Sequence, residues 1–133
     1  TMTIVPHALA DVAGHRYLRA FSRLTEEFET FELRWIHDAR SVQKAVFGYE
    51  QAREDLQWST RISLELVAHP DNVENPEALA RSLGLIDGVW RANVRSPLVE
   101  ILLENLGVDL TKAHKLRGHK YLWWLRNHAD VVK

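Results

Sequence analysis

Seven histidines are the side chains of this chain best suited to metal binding or proton transfer. A di-iron helical site needs a glutamate three positions before a histidine on one helix. Glu26, Glu27, Glu29, Glu32, Glu50, Glu54 and Glu65 all lack that partner. The His-Glu-x-x-His zinc pattern is also missing. His114 and His119, five apart, would sit about 140° apart around a helix and share no face. With no cysteine, thiol catalysis, cysteine-ligated zinc and disulfides are excluded. The expectation is no metal ligand, no catalytic residue and no cofactor. Most histidines then lie at the surface or at helix ends, where a helix dipole favours one such as His128.

The acids Glu26, Glu27, Glu29 and Glu32 read as a solvated helix face. Gly84-Leu85-Ile86-Asp87-Gly88 lacks the full phosphate-loop pattern with its lysine, and no serine sits in a nucleophile elbow. Lys112 to His128 is the strongest functional candidate, because bases interleave with aromatics there. Lys115, Arg117, Lys120, Tyr121, Trp123, Trp124 and Arg126 are the candidate partner-binding residues. Bases can contact phosphates while rings stack on nucleotides. Equally, the tryptophans can pack the segment onto a core while the bases face water.

The elements that must position these residues read as helices. From His7 to His69 there is no proline, and only Gly14 and Gly48 interrupt. Leu18, Phe21, Leu24, Phe28, Phe31 and Trp35 recur three and four apart, and so do Val42, Ala45, Tyr49, Ala52 and Leu56, the spacing of an amphipathic helix. This predicts an all-α, single-domain bundle of four to five helices over residues 1–133, the first two long and antiparallel. The helices are placed at 8–37, 41–67, 76–94, 97–106 and 110–129, the last basic and tryptophan-bearing. Asn75-Pro76 and Ser96-Pro97 are helix-start signals, and Gly107 is a helix stop. Whether the first two helices are continuous through His37–Ser41 is left open.

At 133 residues, 46% hydrophobic and 26% charged, the chain suits one globular domain. No apolar run approaches the ~20 residues of a membrane span, and the start lacks a secretory signal, so a cytoplasmic location is expected. The net charge of −1 conceals an asymmetry. Residues 1–110 carry 11 basic and 17 acidic residues, whereas residues 111–133 carry six bases (Lys133 among them) and one acid. Such polarity suits self-association or an acidic partner.

Phe28-Glu29-Thr30-Phe31-Glu32-Leu33-Arg34-Trp35 is similar to a helix in the substrate-binding partner of small nucleotidyltransferases. Asn75-Pro76-Glu77-Ala78-Leu79 with Gly84-Leu85-Ile86-Asp87 is similar to a later part of that family, across a longer gap. The Arg-x4–6-His motif of the related helical RNases has no counterpart, since Arg34 precedes His37 by three and Arg126 precedes His128 by two. The second helix, the His69-Pro70-Asp71-Asn72 loop and the Pro76-led helix resemble the layout of the flagellar FlaF family of small helical regulators. Each resemblance covers less than half the chain and assigns no family.

These observations favour a non-enzymatic helical adaptor or regulatory protein that binds a protein partner, an acidic one among the options, through helical surfaces and forms a homodimer. The alternative is nucleic-acid binding through the basic aromatic C-terminal helix. A third reading is an enzyme or carrier with a metal or cofactor held in the bundle by histidines of different helices.

Overall fold

Short turns and alternating burial shape the first sixty residues. In the computed structural model, which describes residues 1–131, strands β1 (Ile4–Val12), β2 (His15–Ser22) and β3 (Glu27–Glu32) form an antiparallel sheet in the order β1-β2-β3. Ala13 and Gly14 link β1 to β2 as a two-residue loop with φ of 52° and 82°. Positive φ at both central positions is what a tight hairpin of the right twist requires, and glycine meets it without strain. Pro6 lies on an edge strand, where its missing N–H is tolerated. The β1–β2 register shifts between Pro6 and Ala8, which frees His7 from the ladder and re-aims its side chain.

The chain then runs through Leu33–Trp35, a 3₁₀ turn, and an exposed irregular stretch to two further 3₁₀ turns, Gly48–Glu50 and Ala52–Glu54, and helix α1 (Leu56–Ser59). Two ion pairs tie this segment to the sheet. Arg19 forks onto Asp55, with Nε 2.7 Å from Oδ2 and Nη2 2.9 Å from Oδ1. The same guanidinium donates to Thr30 and Gln57 at 3.0 Å each, and His7 Nε2 lies 2.9 Å from Asp55 Oδ2. Arg23 forks onto Glu50 at 2.7 and 2.9 Å. Arg19, Asp55 and Glu50 are all buried.

From Arg61 onward a second compact unit begins, the first being Thr1–Thr60. Its elements are β4 (Arg61–Ala68), α2 (Pro76–Ser82), β5 (Val89–Arg95), α3 (Ser96–Leu106), β6 (Val108–Asp109), β7 (Trp123–Leu125) and α4 (His128–Val131). The sheet order is β5-β4-β7-β6, with β6–β7 parallel and the other pairs antiparallel. Leu64 and Leu66 of β4, Trp123 and Leu125 of β7, Val108 of β6, and Val99 and Leu103 of α3 make the core. Trp90 meets Trp123 edge-on at 5.3 Å.

This fold corrects the expectation of an all-α bundle with two long antiparallel helices. Most of the first predicted helix, 8–37, is the β1-β2-β3 sheet. The second, 41–67, is irregular chain, short helical turns and β4. The third, 76–94, ends as a helix at Ser82 and continues as β5. Phe28–Trp35, the basis of the nucleotidyltransferase-partner resemblance, is β3 and a 3₁₀ turn, and the FlaF-like second helix is mostly absent. In its place stands a mixed α/β structure. Among the described residues, no helix is long and apolar enough to cross a membrane.

Candidate interaction surface

The basic C-terminal segment is not a helix, and Asp109 explains why. Its buried carboxylate accepts from Thr111 N at 2.8 Å, Thr111 Oγ1 at 2.7 Å and Leu116 N at 3.0 Å. A side chain that gathers nearby N–H groups in this way competes with helical hydrogen bonding. Asp109 Oδ2 also lies 2.8 Å from His69 Nε2, and both side chains are wholly buried. His69 Nδ1 accepts from the N–H groups of Asp71 and Asn72 at 3.2 Å each. That assigns the ring proton to Nε2, which donates to Asp109. Asn72 then clamps the other side of the segment, donating to the carbonyls of Leu116 at 3.0 Å and Tyr121 at 2.9 Å.

Burial alone would raise the Asp109 pKa. The hydrogen bonds from Thr111, His69 and Leu116 outweigh it and hold the carboxyl below its ordinary value. Asp71 is lowered as well, first by its hydrogen bond from His114 and further by Arg117. The His69–Asp109 pair thus staples the end of β4 to the end of β6. Both imidazole nitrogens are engaged, so the pair positions backbone. Among the described residues, no three His, Asp or Glu side chains gather as a metal site.

The candidate residues are dispersed across this surface. Trp123 is in the core, whereas Trp124, one position on, lies on the opposite sheet face. There its Nε1 donates to the Thr111 carbonyl at 2.8 Å, and the His114 ring stands edge-on at 5.1 Å. Lys115 is exposed and its N–H donates to Thr111 Oγ1 at 2.7 Å. Arg117 reaches Asp71 at 3.2 Å and the His114 carbonyl at 2.7 Å. Lys120 lies 5.6 Å from the ring of half-buried Tyr121. Arg126 pairs with Glu65 of β4. Lys133 falls outside the described residues. The bases therefore decorate a looped surface, and the two tryptophans are separated by the sheet.

A second set of bases has no motif in sequence. Leu64, Leu66 and Ala68 point into the core, so Arg61, Ser63, Glu65 and Val67 face the other way. The register sets Arg61 opposite Arg95, Ser63 opposite Asn93 and Glu65 opposite Arg91 on that same face. Only the alternation of apolar and polar residues through Arg61–Ala68 and Val89–Arg95 could have revealed this surface.

Comparison with known proteins bears on this second unit directly. A family model described as BrxR transcriptional regulator, C-terminal dimerization domain, matches residues 61–131. The match starts at the first residue of the second unit. The chain is also 31% identical over 114 residues to the DNA-binding transcriptional repressor CapW of Escherichia coli, and equally to CapW of strain KTE188. The aligned region covers 85% of this chain and 37% of the repressor, so the chain spans little more than a third of the length of these curated relatives. The chain belongs to the family of the BrxR transcriptional regulator C-terminal dimerization domain.

Proposed function

We propose that this chain works in a repressor-type transcriptional regulator, and that its second unit holds two copies together. The observation that carries the reading is the coincidence of the dimerization-domain match, 61–131, with a unit that has its own sheet, helices and core. The likeness to a DNA-binding repressor supports action on DNA, with the pair as the acting species. A two-fold dimer presents two equivalent DNA-reading elements, and its target is then a pseudo-palindrome. The protein partner expected from the sequence becomes a second copy of this chain. Nucleic-acid action, the alternative expected from the sequence, fits the relatives better than a general adaptor does.

Co-expression of two differently tagged copies tests the reading. Purification through one tag should recover the other at about half its amount after nuclease treatment, the proportion that random pairing into dimers gives. Recovery of one tag only would contradict it.

A further inference from the structure

We propose that β5 is the seam between two copies of this chain, its open edge pairing antiparallel with β5 of a second copy about a two-fold axis at Ala92. This rests on the reading of the second unit as the element that holds two copies together. The row of unpaired N–H and C=O groups on a sheet edge recruits another strand unless the edge is blunted. In the first sheet, the edge strand β1 carries Pro6 and a register shift, and the edge strand β3 carries Glu27, Glu29 and Glu32. In the second, the edge strand β6 has only two residues. The opposite edge, β5, has seven, with no proline, lysine or acid among them, and it pairs with β4 in unbroken register.

The turn before β5 sets which of its groups point outward. Asp87 and Gly88, with φ of 55° and 72°, make a tight turn that the Val89 N–H closes on the Ile86 carbonyl at 3.0 Å. The N–H and C=O of Val89 thus face away from β4, and by the alternation of an antiparallel ladder so do those of Arg91 and Asn93. Among the described residues, no backbone group outside the sheet pairs with either. A two-fold axis offers three registers that keep Arg91 and Asn93 in the new ladder. Setting Arg91 against Arg91 or against Arg95 opposes like charges, which is destabilising. Setting Arg91 against Asn93 opposes none. Ala92 then meets Ala92 on the axis, and Trp90 meets Val94, an aromatic against a β-branched side chain. Trp90, Ala92 and Val94 all pack on the core of their own unit, so the pairing joins two apolar layers under one continuous sheet.

The chain has no cysteine, so a single introduced cysteine reports on the seam without background. In this register the Cα atoms of the two Ala92 residues stand about 4.5 Å apart, within the roughly 4.4–6.8 Å that a disulfide spans. Ala92→Cys in the whole chain should give a covalent dimer under mild oxidation. Glu104→Cys, exposed on α3, should stay uncrosslinked. Asn93→Pro removes one outward donor from each copy and leaves the pairing with β4 intact. It should weaken association about thirtyfold, read by sedimentation equilibrium.

Parent and variants sedimented together separate the two readings. A parent that is monomeric at every concentration overturns the dimer reading, and this seam with it. A dimeric parent whose Ala92→Cys variant does not cross-link, or cross-links no faster than Glu104→Cys, overturns the seam and leaves the dimer reading standing. So does a folded Asn93→Pro chain that dimerises as tightly as the parent. If Asn93→Pro does not fold, the cross-link alone decides.

Discussion

Arg19 and Asp55 show how a buried charge organises chain that has no regular structure. The bidentate fork, with His7, Thr30 and Gln57 around it, satisfies nearly every donor and acceptor of the pair. Removing one member leaves the other charged and dry. Arg19→Met should therefore cost about 3–5 kcal/mol, read as a fall in the urea midpoint. Adding Asp55→Leu should restore much of the loss, because no lone charge remains buried. A double variant as unstable as the sum of the two singles would contradict this.

The carboxyls of Asp55, Asp109, Asp71 and Glu50 are all lowered in the folded chain. For Asp55, burial opposes the shift and the hydrogen bonds from Arg19 and His7 overcome it. A lowered carboxyl contributes stability that is present above its unfolded value of about 4 and is lost as pH falls through the folded value. The contribution of these carboxyls to unfolding free energy should hold between pH 7 and about 5 and decline below about 4. Asp109→Asn should be less stable at neutral pH and should show a shallower acid decline. An acid profile identical to the parent's would place the sensitivity elsewhere.

At the scale of elements, helix termini were legible and strands were not. Asn75 caps α2 by accepting from Ala78 N at 3.1 Å, Pro97 sits in the first turn of α3, and Gly107 ends α3 with φ of 68°. Such signals are local, so they survive in sequence. The three-and-four rhythm of Leu18, Phe21, Phe28 and Phe31 has another origin. In the β2–β3 hairpin Leu18 pairs with Phe31 and Phe21 with Phe28. Apolar residues placed symmetrically about a turn thus imitate a helical stripe. In β4 the alternation Ile62-Ser63-Leu64-Glu65-Leu66 was present but lay within a longer apparent helix. The Lys112–His128 segment hid its fold for another reason. Its course depends on Asp109 and His69, 40 residues apart in sequence.

The basic aromatic segment stands out by its local composition, whereas the sheet face beside it rests on pairings that no local pattern shows. Gly107 gives this scale its prediction. A Cβ there would overlap the Lys120 carbonyl, in addition to the left-handed strain. Gly107→Ala should cost roughly 2–5 kcal/mol. Asn75→Ala, which removes only a cap, should cost about 1 kcal/mol. Equal thermal shifts in the two variants would contradict the assignment.

The whole molecule divides into two units with different furnishings. The first is a three-stranded sheet with ion-paired irregular chain, and the second is a four-stranded sheet packed on α3. The proposed association through the second unit would couple its stability to concentration, because binding between folded copies draws the equilibrium toward the folded state. Its melting temperature should rise with protein concentration, and a strict absence of that rise would argue against a dimer. Sedimentation equilibrium of the full chain, over a hundredfold range of concentration, tests the central claim most directly. The account predicts a species of twice the 15.4 kDa chain mass that dissociates only on dilution. A mass of 15.4 kDa at every concentration would contradict it.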